Sequence, residues 1–339
     1  MRLRHLRILC LFLLVTLGCN FPTIVAINNG QNGHPLVVVT SDPNGPPTAT
    51  PFLPLSPTQY VQPTDFLTPT PGSPEANPNV KLLPNPAGTI NILILGSDQR
   101  PYDFGYRTDV MILLSVNTKK STASMVSFPR DLWVEIPGVG MQRINTAQVF
   151  GGFTTTQGTF LNNFGLTVHH YVLTNFWTFT GIIDTLGGIQ VQAARNVTDH
   201  CKLPGSINGY CSYGPGTIFL DGQTALWYVR SRYSTSDFDR ERRAQEVMLG
   251  ILNKLLSLNG IQRAPELYQL FKDSVVTDMS LTDMLQLLPV ASVITDPGKL
   301  QQYTIGSDMV TPYVTDSGAD VLLPHTDAIW NILNQAINP

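Results

Sequence analysis

Five arginines, Arg230, Arg232, Arg240, Arg242 and Arg243, fall within fourteen residues of a 339-residue chain in which only 13% of residues are charged. A guanidinium is planar, stays charged in nearly any surroundings and grips phosphate oxygens two at a time. Ser236 or Asp237 reads as the cap of a long helix through Leu258, so these cations gather where a helix N-terminus also favours an anion. The competing reading is a solvated helix face paired with Asp237, Asp239, Glu241 and Glu246. It accounts for Arg242 and part of Arg243. It accounts less well for Arg230 and Arg232, which flank Ser231 at the end of an apolar helix. Arg130 follows a strand, and Arg143 and Asn145 come soon after.

Two carboxylates complete the set. Asp98 directly follows the apolar run Ile90–Leu95, and Asp109 opens the next one. A carboxylate past one strand's end and another at its neighbour's start meet at a single sheet edge. Mg²⁺ suits such a pair, because it takes few carboxylates and fills its shell with water and phosphate oxygens. The alternative is that each caps a turn or pairs with Arg100 or Arg107. Arginines and a metal together describe a polyanionic ligand, and diphosphate fits; phosphoryl transfer is largely positioning and electrostatic stabilisation.

Other chemistries find little support. There is no Cys/His metal spacing, Walker-type loop or Gly-x-Ser-x-Gly elbow. His169 and His170 are adjacent in a strand-like run and so face opposite ways, which argues against joint ligation. Phe176, Trp177 and Phe179 read first as core, and second as an apolar wall for a lipid tail beside a phosphate site. The net charge of −3 excludes a globally basic nucleic-acid binder.

The elements that must position these residues follow from periodicity. Strands are expected at Ile90–Leu95, Val110–Val116, Ala123–Phe128, Val168–Leu173, Ile189–Gln192 and Leu300–Ile305. Helices are expected at Thr155–Phe164, Asn175–Leu186, from an Asp221 cap through Tyr228, and at Leu281–Val290 and Thr326–Ile337. Strands alternating with helices predict an α/β domain with helices on both sides of a sheet.

Ahead of this domain, Arg2, Arg4 and Arg7 precede an apolar run from Ile8 to Leu17, the length of a signal-peptide core and short of a membrane span. Thr16-Leu17-Gly18-Cys19 resembles a lipoprotein processing site; the rival is an uncleaved anchor helix continuing to Ile27. Either places the domain outside the cytoplasm. Residues 20–88, rich in Pro, Thr and Ser, read as a disordered tether or spacer. Cys201 and Cys211 flank a turn-rich loop and are expected to form a disulfide; a metal site would need more ligands than His200.

The ordered set of segments resembles the LytR-CpsA-Psr family. It runs through Asn91–Asp98, Arg107–Asp109, Ser127–Asp131, Arg143–Asn145 with Gly151-Gly152, Ile183–Gly188, Leu220–Arg232 and Asp237–Arg240. The resemblance implies a three-layer α/β/α sandwich on a central mixed sheet, with the family domain over 89–259 and a C-terminal extension, 260–339, packing on it. It implies an extracytoplasmic phosphotransferase at the membrane face, moving glycopolymers from polyprenyl diphosphate to peptidoglycan. A non-catalytic wall-associated binder and a polyprenyl-diphosphate glycan hydrolase are the alternatives. Asp98 and Asp109 would match Mg²⁺-associated carboxylates. Arg130, Arg230, Arg232 and Arg240 would match diphosphate-binding arginines, and Asp237 an acidic residue of that site. Arg143, Asn145, Arg243 and Gln245 would join the ligand-binding set. Three positions depart from the family pattern: Ala244 for a glutamine, Asp239 for a common glycine, and Arg143 for a frequent lysine.

Overall fold

The computed structural model describes residues 80–100, 106–258, 264–272, 274–287, 290, 296 and 299–338. The leader, Cys19 and the tether up to residue 79 lie outside the described residues.

The apolar run at Ile90 lengthens into strand β1 (Thr89–Ser97), followed by β2 (Thr108–Asn117) and β3 (Thr122–Ser127). These form an antiparallel meander, turned at Asn117, whose side-chain oxygen accepts from the backbone N–H groups of Lys119 and Lys120. The short hairpin β4 (Trp133–Ile136) and β5 (Gly140–Arg143) then leads to helix α1 (Ala147–Phe164). Strand β6 (His170–Asn175) returns parallel to β1, and helix α2 (Phe176–Thr185) leaves it through an Asn175–Thr178 capping box.

A lobe of short strands follows: β7 (Ile189–Ala193), β8 (Val197–His200), β9 (Tyr210–Tyr213) and β10 (Gly216–Leu220). Helix α3 (Gly222–Arg230) starts on the Asp221 cap, and α4 (Asp237–Ser257) on Ser236. Helix α5 (Ala264–Phe271), strand β11 (Val276–Thr277) and helix α6 (Leu281–Gln286) precede β12 (Leu300–Thr304), the hairpin β13 (Val310–Val314) and β14 (Asp320–Pro324), and helix α7 (Thr326–Ile337). No helix among the described residues is long and apolar enough to cross a membrane.

The central sheet is mixed, in the order β11-β6-β1-β2-β3-β12. Its middle strands are apolar on both faces because both faces are covered. Leu93, Leu95, Met111, Leu113, Val126 and Phe128 pack under Phe160 and Phe164 of α1 and Ile329 and Leu333 of α7. On the other face Ile92, Ile94, Ile112, Leu114 and Met125 pack under Ala244, Met248 and Leu252 of α4 and Met284 of α6. The molecule is the expected three-layer α/β/α sandwich. A third cluster, with Ile183, Val191, Leu220, Tyr228 and Val247, joins α2, α3 and α4 to the β7–β10 pair.

Four differences from the sequence expectation have local causes. Helix α1 begins at Ala147 rather than Thr155, bending at Gly151 and at Gly152 (φ +63°). Helix α6 stops at Gln286, before Val290. The strands β4, β5, β8, β9, β10, β13 and β14 are four or five residues each and partly exposed, so they carry little apolar periodicity. Residues 80–88, grouped with the tether from composition, pack on the domain. Leu83 is buried and its N–H donates to the Gly165 carbonyl at 2.9 Å, while Trp330 Nε1 donates to the Lys81 carbonyl at 3.0 Å.

Gly165 makes that docking possible: it ends α1 at φ +63°, and a Cβ there would lie 2.2 Å from the Lys81 carbonyl oxygen. Gly165→Ala should therefore destabilise the fold by at least about 1 kcal/mol. Thermal unfolding and limited proteolysis check this; an unchanged Tm together with unchanged cleavage around residues 80–88 would contradict it.

Candidate functional site

One edge of the central sheet gathers the end of β1, the start of β2 and the ends of β3 and β6, since Ser97 pairs with both Thr108 and Asn175. Asp98, Asp109, Arg130 and Phe176 all leave the sheet there. The N-terminus of α4 supplies Asp237 and Arg240.

Arg130 is the junction. Its Nη1 lies 3.0 Å from Asp109, and its Nε lies 3.3 Å from Asp131 and 3.8 Å from Asp237. Burial alone would lower this guanidinium's pKa, but Asp109, Asp131 and Asp237 together raise it, so it stays firmly charged. Asp237 in turn meets Arg232 at 3.1 Å and Arg240 at 3.8 Å. Asp131 also meets Arg143 at 3.4 Å, and Asn145 donates to Asp109 at 3.3 Å. The structure thus brings together Asp109, Arg130, Arg143, Asn145, Arg232, Asp237 and Arg240.

Arg240 is buried, with Nε and one Nη lacking any hydrogen-bond acceptor. Its charged form is disfavoured by burial, which Asp237 only partly offsets and Arg130 and Arg232 worsen. Unsatisfied N–H groups on a buried cation, set among other guanidiniums at a helix N-terminus, fit an anion such as diphosphate.

Other expected site residues stand apart from this cluster. Arg230 is exposed and lies 4.5 Å over the Phe176 ring. Asp98 accepts from the Arg107 N–H at 2.6 Å and faces its guanidinium at 3.9 Å, the turn pairing that was the alternative to metal binding. Arg243 and Gln245, expected among the ligand-binding residues, point inward instead. Arg243 is fully buried, donating to the Tyr228 and Ser231 carbonyls and to Thr235 Oγ1. Gln245 donates to Ser127 Oγ and the Tyr303 carbonyl, both at 2.7 Å. Their hydrogen bonds tie α4 to the α3–α4 loop and to β12.

The departures from the family pattern also acquire places. Asp239 faces Arg242 at 3.0 Å and Arg195 at 3.6 Å, so its charge is neutralised away from the cluster. Ala244 borders a void of about 10 Å³ together with Asp109, Arg240 and Glu241. His169 and His170 do part company: His169 accepts from the Asn91 N–H, while His170 faces Asp278 at 3.3 Å. Of the α2 aromatics, Phe179 packs inward and Trp177 is 83% exposed. The sulfurs of Cys201 and Cys211 lie at bonding distance, with Cα atoms 5.7 Å apart.

Three residues that sequence reasoning did not single out matter here. Asp131 pairs with two arginines, and its place beside Arg130 was the available signal. Asp199 accepts from the N–H groups of Arg232 (2.7 Å) and Tyr233 (3.1 Å), fixing the loop that carries Arg232. Glu241 is 6% exposed, and neither carboxyl oxygen has a hydrogen-bond partner. Burial pushes this carboxyl up to about 8; Arg240 opposes the shift, and Asp237 and Asp131 add to it.

Of the two carboxylates expected to hold a metal, Asp98 is engaged by Arg107 and Asp109 by Arg130 and Asn145. Among the described residues no group of three His, Cys, Asp or Glu side chains converges. Two carboxylates do suit an Mg²⁺ whose remaining positions come from water and substrate phosphate, and do not suit an all-protein cage.

The Glu241 shift has a consequence for stability. Between pH 4.5, its ordinary value, and about 8, the folded protein keeps a proton that the unfolded chain has lost. Stability from this group therefore falls as pH rises through that window and is level above it. Glu241→Gln carries no such proton, so its Tm relative to the parent should climb from pH 4.5 to 8. A difference in Tm that is independent of pH would contradict the assignment.

The chain is similar to known proteins over the region that carries this cluster. The family model described as LytR_cpsA_psr matches residues 68–335. The polyisoprenyl-teichoic acid–peptidoglycan teichoic acid transferase TagU of Bacillus licheniformis is 35% identical over 197 residues, 57% of this chain and 61% of that protein. TagT of Bacillus subtilis is 31% identical over 205 residues, 59% of this chain and 63% of that protein. The chain thus spans about three-fifths of the length of these curated relatives. Among solved structures, TagT bound to LIIa-WTA has a TM-score of 0.58 at 25% identity, covering 77% of this chain and 95% of that one. B. subtilis TagU has 0.54 at 27%, covering 74% and 96%. The family match runs from before β1 to within α7 and takes in the whole arginine and carboxylate cluster, so the chain belongs to the LytR_cpsA_psr family.

Proposed function

We propose that the protein is an extracytoplasmic phosphotransferase that moves a polyprenyl-diphosphate-linked glycopolymer onto peptidoglycan. The observation that carries this reading is the buried Arg240 guanidinium, with N–H groups lacking acceptors, beside Arg130 and Arg232 at the α4 N-terminus. Such an arrangement is built for two linked phosphates. Relatives named as polyisoprenyl-teichoic acid–peptidoglycan teichoic acid transferases support the same chemistry.

In the reaction, an acceptor hydroxyl oxygen bonds to the glycan-proximal phosphorus while that phosphorus's bond to the bridging oxygen breaks. The hydroxyl proton is released, and polyprenyl phosphate leaves with the bridging oxygen. Arg130, Arg232 and Arg240 hold the diphosphate and stabilise charge that grows on its oxygens. Arg143 and Asn145 keep Asp131 and Asp109 in place, and Asp237 spaces the three arginines. Arg230, stacked on Phe176, reaches the lipid-side phosphate, with Trp177 bordering the tail. Asp98 and Asp109 would hold an Mg²⁺, which would supply neutralising charge at the phosphate oxygens. A lipid on Cys19, or an uncleaved N-terminal helix, keeps the site at the membrane face, where a Cys201–Cys211 disulfide is stable.

The test incubates the full chain with a short-chain polyprenyl-diphosphate glycan, peptidoglycan fragments and Mg²⁺, and reads products by mass spectrometry. Transfer of the phosphoglycan is expected. Arg130→Ala should reduce it about 100-fold or more, and chelation should abolish it until Mg²⁺ is restored. Free phosphoglycan as the sole product would assign a hydrolase instead, and binding without turnover a receptor.

A further inference from the structure

The loop between α3 and α4 carries Arg232, whose partly exposed guanidinium meets Asp237 at 3.1 Å. A long side chain on the surface keeps much of its rotamer freedom, so its reach depends on where its backbone is held. Two elements hold that backbone. Arg243 of α4 takes the Ser231 carbonyl and Thr235 Oγ1. The β8–β9 hairpin takes the amides: Asp199 accepts from the N–H groups of Arg232 at 2.7 Å and Tyr233 at 3.1 Å. Beside it the Thr198 N–H donates to Ser234 Oγ at 2.9 Å, and the Tyr233 ring lies 5.2 Å from His200 and 5.9 Å from Tyr210. Burial alone would raise the Asp199 pKa, yet its N–H donors outweigh that and hold the carboxyl below its ordinary value. It is ionised at neutral pH, so its bonds to the loop are charge-assisted.

The hairpin has little of its own to keep it closed. Its strands are four residues each, and Lys202 and residues 204–209 of its connection are exposed. A two-stranded hairpin of that size is marginal in water. The Cys201 and Cys211 sulfurs lie at bonding distance, and Asp199 is the register partner of Cys211. A covalent bond there closes the hairpin beside the residue that grips the loop, and it removes freedom from the open form.

We propose that the β8–β9 hairpin is a brace under thiol–disulfide control, with Asp199 as the positioning residue for Arg232. With the Cys201–Cys211 bond closed, Asp199 fixes the loop and Arg232 stands in the cluster. A dithiol opens the brace: one thiolate attacks a cysteine sulfur and the S–S bond breaks. Two electrons and two protons end on Cys201 and Cys211, and the dithiol becomes a cyclic disulfide. The freed hairpin no longer aligns Asp199 with the loop amides, and diphosphate binding weakens. The effect on binding rests on the phosphotransferase reading; the brace itself does not.

Two readouts on the full chain in detergent test it, each on oxidised, dithiothreitol-reduced and reoxidised protein. Without ligand, amide hydrogen exchange at Arg232 and Tyr233 should speed about tenfold or more on reduction and recover on reoxidation, while β1 and β2 keep their protection. In titrations with geranylgeranyl diphosphate, affinity should fall about tenfold on reduction and recover likewise. The Cys201→Ser, Cys211→Ser double variant should match the reduced parent and ignore the reductant. Asp199→Ala should bind weakly in either redox state, and Asp199→Asn, whose Oδ1 still accepts both amides, should regain most of the affinity. Adding Arg232→Ala to Asp199→Ala should weaken binding no further than Arg232→Ala alone. Loop exchange unchanged by reduction, a loss of protection that spreads to β1 and β2, or additive effects of the two alanines would each overturn the proposal. So would binding by the oxidised protein that reduction leaves unchanged. Loop exchange that follows the redox state in a protein that binds no diphosphate would keep the brace and sink the phosphotransferase reading.

Discussion

Arg130 ties together three parts of the molecule that are distant in sequence: the start of β2 through Asp109, its own loop through Asp131, and the first turn of α4 through Asp237. A partly buried cation of this kind is tolerated only while its partners remain, because removing one leaves uncompensated charge in a low-dielectric setting. The surrounding elements are arranged to keep those partners in place. The sheet register sets Asp109 at the edge, Asn145 holds its carboxylate, and the Ser236 cap fixes the α4 terminus. The inward-facing Arg243 ties the end of α3 to α4, so the loop bearing Arg232 cannot swing away from Asp237. Rigidity at this edge is what lets several guanidiniums sit within reach of one another.

The same arrangement gives the site its selectivity. Asp237 stands among Arg130, Arg232 and Arg240 as an internal anion, lowering their mutual repulsion. Arg240 nonetheless keeps N–H groups without acceptors, so the cluster is neutralised in charge and unsatisfied in hydrogen bonding. A ligand with several oxygens in fixed geometry benefits from that combination more than a single small anion does.

Much of this was legible in the residues themselves. The strands of the sheet announce themselves as apolar runs because both faces are buried, and Asp221 and Ser236 mark their helices by capping chemistry. In a chain so poor in charge, the arginine cluster stands out. What stayed hidden depends on tertiary context. Glu241 reads as a helix-surface partner for neighbouring arginines; it is buried by a hairpin some seventy residues later, whose short exposed strands have no periodic signal. Arg243 looks like one more site cation, yet the Tyr228 and Ser231 carbonyls hold its guanidinium in the interior. The docking of residues 80–88 rests on one leucine and a backbone contact with Gly165, which a proline-rich composition conceals.

The most direct measurement is isothermal titration of geranylgeranyl diphosphate into the full chain, beside Arg240→Gln. The parent should bind, with affinity falling as salt rises, and the variant should bind about tenfold or more weakly while keeping its Tm. Equal affinity in the two proteins would mean that the diphosphate does not sit on the α4 arginines, and the proposed site would have to be abandoned.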